Sequence, residues 1–199
     1  MSELKLFNKW DTTKIEVKDI ALKDYINLRP IIVPKTGGRN VNVSFWKSKY
    51  HIVERLINKV MVPGHKGKKH LIFSHQCSGQ SNNAYEQVKH TLELIEEKMK
   101  RNPVEVLVGA IENAAPREEI TTIEYGGARY PQSVDCSPQR RVDIAIKIMV
   151  QGSFQKSFNK KTKFHEALAD EIMKAFANDN KSAAIAKKME VERQAESSR

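Results

Sequence analysis

Residues 102–146 read NPVEVLVGAIENAAPREEITTIEYGGARYPQSVDCSPQRRVDIAI, and the changes of period inside them decide the fold class. Asn102 followed by Pro103 is a helix start, because the Asn side chain can take a first-turn N–H and proline lacks the N–H that would go unpaired there. Val104 to Asn113 then form a largely apolar helix, wide enough in its hydrophobic face for a bundle centre, and Pro116 closes it. Ile120, Ile123 and Tyr125 before Gly126-Gly127, with Ala128, Tyr130 and Val134 after, predict a β-hairpin over about residues 118–135 turning on the two glycines. Two strands bury little by themselves, so the hairpin must pack on helices or project as an arm. Ser137-Pro138 repeats the cap-then-proline start, and Val142, Ala145, Ile146 and Met149 mark a further helix expected to end before Gly152.

Upstream of this stretch, Ala84, Val88, Leu92, Ile95 and Met99 fall on one helical face. Ile52, Val53, Leu56, Ile57 and Val60 do the same in a shorter helix that Pro63-Gly64 stops. Residues 1–44 lack tight periodicity and carry Pro30, Pro34 and Gly37-Gly38, which predicts an irregular N-terminal arm ahead of a helical domain over 45–199. Downstream, QGSFQKSFNKK reads as a basic linker and Thr162 as the cap of a helix carrying Phe164, Leu168, Ile172, Met173 and Phe176. Asn178-Asp179-Asn180 should end that helix. From Ser182 the chain is Ala-, Lys- and Glu-rich with a sparse stripe of Ile185, Met189 and Gln194, a marginal helix that needs a partner. The expected fold is mainly α: a bundle of about six helices with a protruding β-hairpin and an irregular N-terminal arm.

The 199 residues (22.7 kDa) carry 34 Lys+Arg against 24 Asp+Glu, a net charge of +10 and a sequence pI of about 9.5. That length suits one domain plus an arm. With 40% hydrophobic residues the chain can build a core, while 7% aromatics argue against an aromatic-rich stacking platform. No run approaches a membrane span, and MSELKLFNKW lacks the layout of a signal peptide, so a cytosolic protein is expected. Cys77 and Cys136 have no Cys-x-x-Cys spacing, which suggests neither a disulfide framework nor a thiolate metal clip.

Charge is unevenly placed. Between Ile31 and Gln80 nine basic residues face the single acid Glu54, and between Arg140 and Lys163 seven face Asp143. The intervening stretch, from Ser81 to Ile120, is acidic overall. Two basic segments flanking an acidic helical middle suggest that folding gathers cations on one surface, which suits a polyphosphate ligand held by salt-sensitive contacts. A membrane surface fits less well, because neither segment has aromatic anchors on a strongly amphipathic helix. His65, His70, His75 and Cys77 are the densest potential ligands, yet their spacing matches no strong zinc signature and Lys66, Lys68 and Lys69 would repel a cation. No phosphate-loop, dinucleotide or nucleophile-elbow motif occurs, so no enzyme activity, cofactor or metal is expected. Arg117, Arg129, Tyr130, Arg140 and Arg141 gather around the hairpin, where guanidinium groups suit phosphates and an aromatic suits an unpaired base. A solvated hairpin with incidental arginines is the plainer alternative.

NPVEVLVGAIENAAP, EYGGARYPQSV and SPQRRVDIAI, with MVPG at 61–64 and AIAKKMEVERQAE near the C-terminus, resemble the universal small-subunit ribosomal protein seven family. LFNKWD and KDYINLRP resemble its archaeal and eukaryotic branch. The resemblance implies a six-helix fold with a protruding hairpin and a scaffold role. It also implies direct binding to the head domain of small-subunit ribosomal RNA (rRNA), nucleation of head assembly, neighbouring small-subunit proteins as partners, and a place in the cytoplasmic ribosome. By resemblance Gly126, Gly127 and Tyr130 lie at a hairpin tip near the exit-site transfer RNA and the messenger RNA path, and Tyr125 before the glycines joins the candidate RNA-binding residues. Arg140 and Arg141 would contact rRNA, and Lys187, Lys188 and Arg193 match a basic C-terminal helix. Lys47, Lys49, His65, Lys66, Lys68, Lys69, Lys156, Lys160 and Lys161 join the candidate RNA-binding set on charge alone. The loop after Gly64 is longer, and the strand ITTIE less basic, than in bacterial relatives. A free-standing basic helical regulator that binds DNA or RNA is the alternative reading.

Overall fold

The computed structural model describes residues 4–38, 42–66, 69–70 and 79–199. Among them the elements run α1 (Ile20–Lys23), a 3-10 turn (Trp46–Lys49), α2 (Ile52–Val60), β1 (His65–Lys66), β2 (Lys69–His70), α3 (Ser81–Met99), α4 (Pro103–Ala114), β3 (Glu118–Tyr125), β4 (Ala128–Asp135), α5 (Pro138–Ser157), α6 (Phe164–Phe176) and α7 (Ala183–Glu196). The protein is therefore helix-dominated with a hairpin.

The apolar stripes become the contacts that hold the bundle. Ala84, Val88, Leu92 and Ile95 of α3 are all buried, and Asn102 caps α4 by accepting the Val104 N–H at 3.0 Å. Central α6 packs against α3, α4, α5 and α7, with Phe164, Leu168 and Ile172 fully buried. Gly109 explains how closely α4 and α6 approach: a Cβ there would lie 2.8 Å from the Phe176 ring.

Gly152 has the same use and overturns one expectation. Helix α5 does not end before it but runs on to Ser157, absorbing much of the expected linker. A Cβ at Gly152 would lie 2.7 Å from the Ala183 Cβ, so this glycine admits α7 rather than ending α5. The cap of α6 is Lys163 instead of Thr162, with Glu166 reaching back to the Lys163 N–H at 3.2 Å. In α7, Ile185 is buried as expected, but Met189 is 44% exposed and Gln194 exposed, and Ala184 and Ala195 complete the buried face. The partner this helix needs is partly polar. Fully buried Glu171 of α6 accepts from Ser182 Oγ at 2.7 Å and from the Ala184 N–H at 3.2 Å, and Lys156 Nζ donates to its other oxygen at 2.5 Å.

The hairpin is antiparallel with Tyr125 opposite Ala128 at the turn and Glu118 opposite Asp135 at the base. Its base rests on α7 and is half-buried on β3, while residues 121–132 are exposed, so it both packs and projects. The N-terminal segment is irregular apart from α1, yet Leu6, Phe7, Trp10, Leu22 and Ile26 belong to the same buried cluster as the helices. Trp10 Nε1 donates to Glu96 of α3 at 2.9 Å, and Glu112 of α4 accepts the Lys18 and Asp19 N–H groups at 2.6 and 3.0 Å. None of the helices among the described residues is long and apolar enough to cross a membrane.

Candidate nucleic-acid interface

The two basic segments of the sequence meet where α2 packs against α5. Between the 3-10 turn, the end of α2 and the first half of α5 lies a groove of about 590 Å³, with Lys47, Lys59, Arg140 and Lys147 on its walls. Among the described residues Asp143 is the one acid lining it, and Phe45 and Ile144 supply the apolar part. Asp143 is engaged already: it pairs with Lys47 and accepts from Arg55 Nη2 at 2.9 Å. Arg140 reaches Glu119 at 2.5 Å and remains 57% exposed on its side chain. Burial, and then the neighbouring Lys147 ammonium, hold Lys59 below its ordinary lysine value, with Asp143 opposing. Two like charges facing one groove favour an anion between them. The groove also meets the start of α5, where Ser137 makes no side-chain cap, so the helix dipole adds to the positive potential. Phosphate is the chemistry this surface suits.

The other expected residues divide sharply. Lys49 sits 4.0 Å over the Trp46 ring beside the groove. Tyr125 and Tyr130 are 80% and 60% exposed at the hairpin tip, where Gly126 and Gly127 adopt φ of +58° and +84° to make the turn. Arg129 is exposed with its Nε 3.6 Å from Glu124, and Lys160, Lys161, Arg117 and Arg193 are exposed as well. These remain available to a ligand. Arg141 is not: it is 7% exposed, its Nε donates to the Pro116 carbonyl at 3.1 Å and its Nη2 pairs with Asp19 at 2.8 Å. Lys188 donates to the Asn113 carbonyl at 2.8 Å, and burial pushes its ammonium below the ordinary range. Lys156 is tied to fully buried Glu171, whereas Lys187 meets Glu190 at 2.7 Å in an exposed pair one turn along α7 and stays at the surface. Lys68 lies outside the described residues, as do the side chains of His65, Lys66 and Lys69. The side chains of the His65, His70, His75 and Cys77 cluster lie outside them too, and no group of metal-ligating residues occurs among the described ones.

The sequence reading did not single out Lys59, Lys147 or Phe45. Both lysines lie in the two basic segments, but only the packing of α2 on α5 shows that they share a groove.

Residues 22–199 match the family described as ribosomal protein S7p/S5e. The chain belongs to that family. Small ribosomal subunit protein uS7 of Nanoarchaeum equitans is 53% identical over 197 residues, which cover 99% of this chain and all of that protein. Its counterpart in Methanosphaera stadtmanae is 47% identical over 97% of each chain. Membership of the S7p/S5e family makes the protein a structural ribosomal component and not a catalyst. It also agrees with the resemblance to the archaeal branch drawn from LFNKWD and KDYINLRP.

Proposed function

We propose that this protein, a component of the small subunit of the cytoplasmic ribosome, binds the head domain of the subunit's rRNA directly and nucleates assembly of the head. The groove between α2 and α5 carries the reading: four cationic side chains and a helix start face one space, and among the described residues Asp143 is the one acid lining it. In this reading the groove and the exposed Lys49, Lys160 and Lys161 neutralise phosphates, which positions the protein on an RNA junction. The hairpin extends Tyr125, Arg129 and Tyr130 away from the bundle toward the exit-site transfer RNA and the messenger RNA path, and exposed aromatics with a guanidinium suit unpaired bases there. Neighbouring small-subunit proteins complete the setting.

The test is salt-dependent binding of the full chain to the head-domain rRNA fragment and to an unrelated structured RNA of equal length. Selective binding at physiological salt is expected. Equal binding to both, or a preference for duplex DNA, would overturn direct and selective binding of the head-domain rRNA.

A further inference from the structure

Phe45 is the most conspicuous apolar residue at the rim of the groove. Its side chain lines that space, the residue is 80% exposed, and its backbone sits at φ +58°, a left-handed conformation that bulky side chains adopt at a cost. A strained backbone persists only where the surroundings over-determine it. Here they do: the 3-10 turn that follows Phe45 is fastened to α5 by Ser48 Oγ donating to Gln139 Oε1 at 2.8 Å and by the ion pair of Lys47 with Asp143. The result is an aromatic ring presented to solvent beside a cationic groove. In the same groove, burial and then the nearby Lys147 charge hold Lys59 below its ordinary lysine value. The 7%-exposed Gln139, which also lines the groove, keeps its Nε2 buried with no hydrogen-bond partner among the described residues.

We propose that Phe45 is the stacking platform for one unpaired nucleotide of the bound RNA, whose phosphate lies between Lys59 and Lys147. This deepens the rRNA-binding reading and rests on it. The ligand class follows from the geometry. A base can lie on an exposed ring only when it has left its own stack, which selects single-stranded or bulged nucleotides over a regular duplex. The groove volume, about 590 Å³, is within the range that holds a small ligand. The two lysines bind the phosphate as point charges and read no sequence, so the site grips a strand without dictating its bases, purines stacking better than pyrimidines.

The experiment uses the full chain with hexa-adenylate, hexa-uridylate and the head-domain rRNA fragment, each titrated at several salt concentrations. Phe45→Gly is the informative variant, because glycine adopts φ +58° without strain and the fold is retained or gains stability. Its affinity for hexa-adenylate and for the fragment should fall about tenfold with the salt slope unchanged, since stacking releases no counterions. Lys59→Ala and Lys147→Ala should each lower the slope on the hexamers by about 0.7. Hexa-adenylate should bind more tightly than hexa-uridylate, and Phe45→Gly should abolish that difference. A Phe45→Gly protein that binds all three RNAs as the parent does overturns the proposal, as does a drop in salt slope without loss of the purine preference. If the parent chain selects the rRNA fragment over an unrelated RNA while Phe45→Gly is silent, only the stacking site fails. If the parent shows no such selectivity, the rRNA reading fails and this proposal falls with it.

Discussion

Arg140 and Arg141 are neighbours in sequence with opposite environments, because successive residues on a helix point about 100° apart. Arg140 faces the groove with an exposed guanidinium, whereas Arg141 turns inward to Pro116 and Asp19. Substituting Arg140→Ala should lower the slope of log affinity against log salt by about one unit and leave thermal stability nearly unchanged. Arg141→Ala should leave the slope alone and cost about 2 kcal/mol by stranding the Pro116 carbonyl and Asp19, a fall of roughly 4–8 °C in Tm. Paired binding isotherms and melting curves separate the two; a loss of slope in Arg141→Ala would place that side chain at the RNA instead. His51 carries a second residue-scale consequence. Its ring is 3% exposed, Nδ1 caps α2 by accepting the Val53 N–H, Nε2 has no partner among the described residues, and burial lowers its pKa to about 4 from an ordinary 6.5. Between those values the unfolded chain binds the proton and the folded chain does not, so stability is lost as pH falls from 6.5 toward 4. The loss should approach about 3 kcal/mol. His51→Asn keeps a capping oxygen and removes the titration, and urea midpoints measured from pH 4 to 7 should be flatter in that variant by the same amount.

Among the elements, the contact of α5 with α7 depends on a missing methyl group. In an isolated helix Gly152→Ala would stabilise by up to about 1 kcal/mol. Here the new Cβ would meet that of Ala183 at 2.7 Å, so α7 must move away from α5. Overpacking of this kind costs about 1–3 kcal/mol, which exceeds the propensity gain. The expected outcome is a Tm lowered by a few degrees and faster hydrogen exchange along α7; a raised Tm would mean that the helices separate at no cost. Helix α3 and helix α4 were legible in the sequence because their stripes and the Asn102-Pro103 cap are local signals. The hairpin was legible for the same reason, its two glycines supplying the positive φ that the turn requires. Gly152 misled because a glycine that ends a helix and a glycine that admits a neighbour look alike until the neighbour is in place. Thr162 misled less: the cap moved by one residue, since the Glu166 carboxylate reaches the backbone of Lys163.

For the whole molecule, the N-terminal segment is part of what holds the bundle together. Leu6, Phe7 and Trp10 are buried, Lys9 pairs with Glu93 at 2.5 Å, and Asn102 Nδ2 donates to the Asp11 carbonyl at 2.6 Å. Deleting residues 1–11 removes three large apolar side chains from the core, each contributing about 1.5–3 kcal/mol. A Tm lower by more than about 10 °C is expected by calorimetry, and an unchanged Tm would show that the segment lies on the core without supporting it. The sequence by itself determined the fold class, the hairpin and its turn, the basic character of the chain and the family resemblance, because periodicity, caps, glycine pairs and net charge are properties of short stretches or of the sum. Only the tertiary structure decided which cations are available. Arg141, Lys156 and Lys188 are held by groups distant in the chain, whereas Lys59, Lys147 and Phe45 come together in a groove. A side chain's charge belongs to its residue type, but its exposure and its partners are set by helices that pack across long sequence separations.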